Sequence, residues 1–261
     1  MEQYDVVASF YDRGYNDWED MMNRYVTYVE PIFQKNNVRT VLDCSCGTGL
    51  QAVGLALKGY DVTGSDISPE MIKIAQTNAR KHDVKIDFVC SSFVDLQENI
   101  LKKFDAVITM DNALPHMLSD EDVVRALKSM RSVLRSDNGI CLIDIFNYVT
   151  LCAKKRRFIP MVSRDDAIVF QVRDFFDPGR VDLNIVYFVK NNGEWKYGCT
   201  TAANRVLTSD QLERFLLEAG FKDIAHNTDV LWVRTLARTT FPTLKSLSTG
   251  LAGVAVPTAS R

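Results

Sequence analysis

The sequence predicts an α/β fold: a Rossmann-like, doubly wound, mostly parallel seven-stranded sheet with an antiparallel strand insertion and a helical amino-terminal segment. Two observations predict the sheet. Short apolar runs alternate with amphipathic stretches between residues 40 and 146, and strands separated by helices pair in parallel. Past Tyr148 the alternation gives way to consecutive strand-like runs joined by turn signals, which predicts the antiparallel insertion.

Tyr25, Val26, Val29, Ile32 and Phe33 recur at helical intervals, with Pro31 as a kink or restart. Thr40 to Cys44 is a short apolar run containing Asp43, followed by the turn Cys46-Gly47-Thr48-Gly49. A helix is expected from Leu50 to Lys58, stopped by Gly59, and a second strand from Asp61 to Asp66. Ser68 and Pro69 supply the cap and first turn of a helix running to about Lys81. Lys85–Cys90, Phe104–Met110 and Gly139–Phe146 read as strands, and Asp120–Leu134 as a helix between the last two. Ile168–Phe175, Val181–Lys190 and Trp195–Asn204 read as the antiparallel insertion. Ser209 is expected to cap a helix that stops at Gly220, and Phe221–Leu236 holds two more strand-like runs. The expected division is an amino-terminal segment over 1–36, a main domain over 37–238 with an insertion over about 150–204, and a flexible tail over 239–261.

With 46% hydrophobic residues the 261-residue chain can bury one large core. Thirty-one basic and 33 acidic side chains give a formal charge of -2, without the basic excess of proteins that grip phosphate backbones. The first twenty residues show no export signal, and no apolar run reaches the roughly 18 residues of a spanning helix. The expected location is the cytoplasm. Six cysteines form no C-x-x-C pair, so the expectation is buried thiols at strand positions, with neither metal nor disulfides. Lys154-Lys155-Arg156-Arg157 reads as a solvated loop, or as a contact for phosphate or an anionic substrate.

The Gly-rich turn has two readings. Gly47-Thr48-Gly49-Leu50-Gln51-Ala52 satisfies G-x-G-x-x-A, with Asp66 about twenty residues on, as in dinucleotide-binding proteins. An NAD(P)-dependent oxidoreductase is therefore one alternative. Against it, Asp43 stands four residues before the turn, and a carboxylate repels a pyrophosphate. The same carboxylate suits an ammonium or a sulfonium, and S-adenosylmethionine (SAM) carries both. Ile67 offers an apolar cover for a flat ring.

Val41-Leu42-Asp43-Cys44-Ser45-Cys46-Gly47-Thr48-Gly49 and Gly64-Ser65-Asp66-Ile67-Ser68-Pro69-Glu70-Met71 resemble the first two motifs of class I SAM-dependent methyltransferases. Asp111-Asn112-Ala113-Leu114-Pro115-His116 and Asp144-Ile145-Phe146-Asn147-Tyr148 are most similar to the glycine and sarcosine N-methyltransferase group. The resemblance implies SAM as cofactor, S-adenosylhomocysteine as product and a small-molecule acceptor, with nitrogen favoured and oxygen or carbon open. It implies that Asp43 and Gly47 line the methionine end, that Gly49 lets the backbone approach closely, that Asp66 holds the ribose, that Ile67, Ser92 and Phe93 meet the adenine, and that Cys44, Ser45 and Met71 also bind the cofactor. Met110 and Asp111 would lie beside the methyl, and Asn112, His116, Phe146, Asn147 and Tyr148 on the acceptor side. The amino-terminal segment would be a lid over the cofactor, with Tyr11 and Trp18 as its site residues among the rings Tyr4, Phe10, Tyr11, Tyr15 and Trp18. Two departures stand out. Ser45 replaces a glycine, and Phe146 replaces an arginine that reads a carboxylate in glycine-methylating members.

Methyl transfer needs alignment and exclusion of water, and a base only where the nucleophile must lose a proton. His116 is the candidate base, since its ordinary pKa near 6.5 suits proton removal near neutrality; a helix-capping role is the alternative. Asp111 and Tyr11 complete the candidate catalytic set. A nucleic-acid or protein methyltransferase is a further alternative, but Asp111-Asn112-Ala113-Leu114 lacks the Pro-Pro-aromatic motif of adenine enzymes, and no Pro-Cys pair exists.

Overall fold

In the computed structural model, residues 8, 10–177 and 179–240 are described. The expectations for Tyr4 and for the tail beyond residue 240 fall outside them. Helix α1 (Trp18–Lys35) leads into strand β1 (Thr40–Asp43), then α2 (Leu50–Leu57), β2 (Asp61–Asp66), α3 (Pro69–Lys81) and β3 (Asp87–Cys90). A short helix α4 (Leu96–Asn99) precedes β4 (Ala106–Thr109), α5 (Asp120–Val133) and β5 (Ile140–Phe146). These strands form one sheet with β10 (Lys222–Thr228) and β11 (Trp232–Arg238), in the order β10-β11-β5-β4-β1-β2-β3. Only β11 runs against its neighbours, pairing antiparallel with both β5 and β10.

Side chains of successive strand residues point to opposite faces, and here both faces are covered. Leu42, Val107, Cys141 and Ile143 face a core built with α5 and with α7 (Ser209–Glu218), including Leu127, Met130 and Phe215. Val41, Ile108, Ile140 and Leu142 face the opposite core, with Val29 and Phe33 of α1 and Leu55 of α2. Burial on both faces is why these strands read as continuous apolar runs, not alternating ones.

The insertion is a separate antiparallel sheet of four strands: β6 (Phe158–Arg164), β7 (Ala167–Phe176), β8 (Arg180–Asn191) and β9 (Glu194–Arg205). Strand β6 and the preceding helix α6 (Tyr148–Lys154) lie in stretches to which the sequence assigned no element. One face of this sheet packs inward: Val181 and Leu183 join the main core, while Val169 and Tyr187 pack with Ala8, Phe10, Tyr11 and Met71. The sheet therefore closes over the carboxyl side of β2, together with the amino-terminal segment.

Three local expectations change. Helix α1 continues through Pro31 without a restart. Thr208, not Ser209, caps α7, because Gln211 completes a reciprocal capping box with it. Cys44, Cys46 and Cys141 are buried, but Cys90 and Cys199 are exposed. The basic run keeps its expected place as an exposed link, over residues 155–157 between α6 and β6, with Arg157 paired to Asp174 of β7 at the surface. No described helix is long and apolar enough to cross a membrane.

Candidate functional site

Strands β1 and β4 are adjacent, and the chain leaves them toward opposite edges of the sheet. Ligands of open α/β sheets bind beyond the strand ends at this kind of reversal. A cavity of about 250 Å³ lies there. Of the residues expected from sequence, Cys44, Ser45, Gly47, Asp66, Ile67, Met71, Ser92, Phe93, Met110, Asp111, Tyr11 and His116 line it. They come from the ends of four neighbouring strands and from the amino-terminal segment, so distant stretches of sequence meet only through the topology.

The Gly-rich turn is fixed by the neighbouring strand end. Asp66 accepts hydrogen bonds from Gly47 N (2.9 Å) and Ser68 N (2.9 Å), one on each carboxylate oxygen. Gly47 has φ +51, and a Cβ there would meet nothing within 4 Å. Gly49 stands behind the lining, with φ +91 and Ala75 Cβ only 3.2 Å from where its own Cβ would be. Its glycine is explained by backbone conformation and by the close approach of α3, not by ligand contact.

Two carboxylates are buried beneath the cavity. Asp43 is 1% exposed; one oxygen faces Ser45 N at 3.4 Å, and the other is buried without a hydrogen-bond partner. Burial raises its pKa from 3.8 to about 7. Asp144, equally buried, accepts from Asp111 N, and burial followed by the Asp111 charge raises its pKa to about 7. The turn after β4 is held in the left-handed region at two successive residues, Asp111 (φ +58) and Asn112 (φ +62). This geometry turns Asp111 outward and Asn112 inward. The exposed surface of Asp111 faces the cavity, whose walls still remove it from bulk water and raise its pKa; the hydroxyls of Tyr25 and Tyr15 oppose that rise by hydrogen bonding to the carboxylate.

His116 reaches the cavity from a short 3-10 turn, Leu114–His116. Its Nδ1 lies 3.1 Å from the carbonyl oxygen of Ala203 on β9. A carbonyl can only accept, so Nδ1 carries the proton and the imidazole lone pair is on Nε2. Burial lowers the His116 pKa below its ordinary value.

The remaining expected residues stand outside the lining. Asn112 is 3% exposed; its amide donates to Tyr148 Oη (3.1 Å) and Asn204 Oδ1 (3.0 Å), and its carbonyl accepts from Phe146 N (2.9 Å). Tyr148 is fully buried in the same network. Asn147 caps α6 and donates to the Asp229 carbonyl. Trp18 stacks on His82 with ring centroids 5.3 Å apart and packs near Leu50 and Met22. Phe146 is half-buried against Trp232 at 4.8 Å, and the guanidinium of Arg173 lies 5.3 Å from its ring centroid. A cation is thus present near this position, supplied by β7.

The structure adds residues that sequence reasoning did not select. Tyr15, Cys46, Thr48, Leu50, Gln51, Ser91, Ala113 and Met117 also line the cavity. Asp12 accepts hydrogen bonds from Thr48 Oγ1 and from Asn78 Nδ2 at 2.9 Å, tying the amino-terminal segment to the turn. Cys46 and Thr48 sit inside the quoted motif, so their positions were readable; the inward aim of Tyr15 and Met117 depends on chain reversals that no local pattern encodes.

Among the described residues the lining holds two carboxylates, Asp66 and Asp111, and no lysine or arginine. With Asp43 and Asp144 behind it, this site favours a cationic ligand and opposes a pyrophosphate. The residues fit SAM: Asp43 offers a buried unpaired acceptor, Asp66 an acceptor at the ribose position, and Ile67, 37% exposed, an apolar surface for a ring.

Residues 41–137 match the family model described as a methyltransferase domain. A glycine/sarcosine N-methyltransferase of Parasynechococcus marenigrum (strain WH8102) is 31% identical over 148 residues, 56% of this chain and 52% of that protein. The chain thus spans about half the length of that relative. Among solved structures, a S-adenosylmethionine-dependent methyltransferase from Clostridium acetobutylicum ATCC 824 superposes with a TM-score of 0.75 at 20% identity, covering 90% of this chain and 98% of its own. The sugar N-methyltransferase KedS8 from Streptoalloteichus sp ATCC 53650 has a TM-score of 0.69 at 16% identity, covering 88% and 90%.

Proposed function

We propose, from the premise that this chain is a class I S-adenosylmethionine-dependent methyltransferase, that it methylates nitrogen on a small-molecule acceptor. One observation carries the reading: the lining places the carboxylate of Asp111 and the imidazole of His116 together, with no lysine or arginine among the described lining residues. An amine entering as a cation is attracted to this site and must lose a proton before its lone pair can react. When bound, SAM supplies an electrophilic methyl group on a positively charged sulfur.

Each residue then has a defined task. Asp66 and the Gly47 turn bind the nucleoside end. Asp111, oriented by Tyr15 and Tyr25, attracts the ammonium and holds it in line. His116, with Nδ1 donating to Ala203, receives the amine proton on Nε2. Tyr11 and Tyr15 cover the cavity from the amino-terminal side and exclude water. The names of the relatives agree, since one methylates the nitrogen of glycine and sarcosine and the other that of a sugar.

The test is thermal melting with SAM, S-adenosylhomocysteine, NAD and NADP, followed by a mass-based screen of amines and phenols. A ligand at 100 times its Kd stabilises the folded state by about 2.7 kcal/mol. Stabilisation by SAM and its product alone, with methyl transfer confined to amines, is the expected result. Stabilisation only by the nicotinamides, or transfer only to phenols, would reject the reading.

A further inference from the structure

We propose that the end of β9 is a clasp that holds Asp111 and His116 at a fixed separation, with Asn204 as its central positioning residue. The proposal rests on the reading of Asp111 and His116 as the acceptor-side pair and names what keeps them in place.

Three successive residues of β9 grip the segment after β4 at three points. Ala203 accepts, through its carbonyl, from His116 Nδ1 at 3.1 Å; Asn204 Oδ1 accepts from Asn112 Nδ2 at 3.0 Å; Arg205 pairs with Asp120 at 2.5 Å. The gripped positions, Asn112, His116 and Asp120, are evenly spaced along that segment. Among the described strands β9 lies at the edge of its sheet. Carbonyls on the outer side of an edge strand have no strand partner, and the imidazole takes that of Ala203.

Asn204 is fully buried and in register with Val181, a residue of the main core. A buried amide is costly unless its polar atoms are satisfied. Here the carbonyl serves Asn112, and Nδ2 donates to the Ala202 carbonyl at 2.9 Å. An apolar side chain could fill this place, but it could not hold Asn112.

The gripped segment needs holding. Asp111 and Asn112 both lie at positive φ, a state that residues other than glycine keep where their surroundings impose it. Strand β5 supplies one side of the grip, through Asp144 on Asp111 N and Phe146 N on Asn112 Oδ1. Asn204 supplies the other side, from the antiparallel sheet. Between Asn112 and His116 the chain makes one short turn, Leu114–His116, so a shift at Asn112 passes to the imidazole.

The test uses the full chain with isotope-labelled histidine, loaded with S-adenosylhomocysteine. Nitrogen resonances report which ring nitrogen carries the proton, and H116A identifies the His116 signals among the three histidines. In the wild type the proton should sit on Nδ1. N204V keeps a strand-forming side chain without an acceptor, and its His116 should show both tautomers. With ethylamine as the probe amine, kcat/KM should fall about ten- to a hundredfold in N204V. Affinity for S-adenosylhomocysteine should hold, because Asp43 and Asp66 belong to β1 and β2. N204D retains the acceptor for Asn112 and should recover the Nδ1–H form and part of the rate. Should N204V not fold, D120N changes an exposed residue, releases the third point and should disturb the His116 tautomer in the same direction. An undisturbed His116 in whichever of these variants folds would overturn the inference. So would a loss of cofactor affinity in step with the rate, which marks a merely structural role. If the wild type methylates no amine while the His116 signal still depends on Asn204, the clasp stands and the amine reading fails.

Discussion

The carboxylate of Asp12 bridges the amino-terminal segment to the Gly-rich turn, accepting the hydroxyl hydrogen of Thr48 and an amide hydrogen of Asn78. Asn78 also donates to the Thr48 carbonyl at 2.9 Å, so three residues from three elements close one small network. Tyr11 and Tyr15 flank Asp12 and line the cavity. On the proposed reading, Asp12 sets how closely the segment lies over the cofactor. In D12A the affinity for S-adenosylhomocysteine should fall about tenfold, or about 1.4 kcal/mol, the range of one or two lost charged hydrogen bonds. Calorimetry gives the affinity, and proteolysis near residue 16 should become faster with the ligand bound. Unchanged affinity with unchanged cleavage would dismiss the closing role of this segment.

Asp43 gives a prediction with a definite sign. Burial raises its pKa from 3.8 to about 7. Between those values the folded protein holds a proton that the unfolded chain has released. Unfolding free energy therefore falls as pH rises through this window, and the loss is complete above about 7. Asp144 acts in the same direction and window. The ligand-free protein should melt at a lower temperature at about pH 8 than at about pH 5.5. D43N removes an ionisable group from the core, so it should raise the melting temperature at the higher pH and reduce the pH dependence. The same variant should lose most of its affinity for SAM, because the buried acceptor no longer carries charge. A D43N protein with wild-type pH dependence and wild-type SAM affinity would refute both halves.

His116 predicts a pH profile. Its pKa lies below 6.5 because burial disfavours the charged ring. A base acts in its neutral form, so kcat/KM should rise with pH along a limb centred below 6.5. In H116A that limb should vanish and kcat/KM should fall about 10²- to 10⁴-fold, the usual contribution of a positioned base. On the proposed reading the acceptor is an amine, which titrates above neutrality in both proteins, so the comparison isolates the histidine. For stability the sign is also set. The unfolded chain binds the proton first as pH falls, so the folded state loses stability on acidification from about 6.5 down to the lowered pKa. H116A retaining the limb would assign it to another group.

The central sheet was legible because strands buried on both faces must be written as apolar runs, and Val41, Leu42, Val107 and Ile143 are such residues. The Gly47 turn and Asp66 were legible because positive φ and a fixed acidic strand end constrain residue type. Strand β6 was not, since Lys154 to Pro160 reads as charge followed by proline, and its strand character comes from pairing with β7. The acceptor side was legible only in part. Asn112 lies next to Asp111 in sequence, yet successive left-handed residues send the two side chains to opposite sides of the wall. Tyr25 has the spacing of a core residue, and only the packing of α1 across the sheet brings its hydroxyl to Asp111. Thr208 carried a signal that could have been used, because Gln211 stands three residues on.

Gly54 tests whether α1 is fixed to the domain closely enough to hold Tyr25 in place. It lies within α2, where glycine ordinarily costs about 0.5–1 kcal/mol relative to alanine. Here a Cβ would meet Met22 Cγ at 2.7 Å and Val26 Cγ2 at 2.7 Å, both on α1. Val26 is β-branched and stiff, so the contact cannot relax by a rotamer change alone. G54A should therefore destabilise the protein by about 1–2 kcal/mol, overpacking outweighing the helix-propensity gain. That corresponds to a fall of roughly 2–8 °C in melting temperature for a domain of this size. Adding V26A to G54A should restore part of the loss, a coupling expected only of residues in contact. Tyr25 precedes Val26 on the same helix and hydrogen-bonds to Asp111, so G54A should also raise the KM for the amine more than it changes SAM affinity. A G54A protein as stable as wild type would show that α1 moves away from α2 at little cost, and the hold on Asp111 would then have to come from Tyr15.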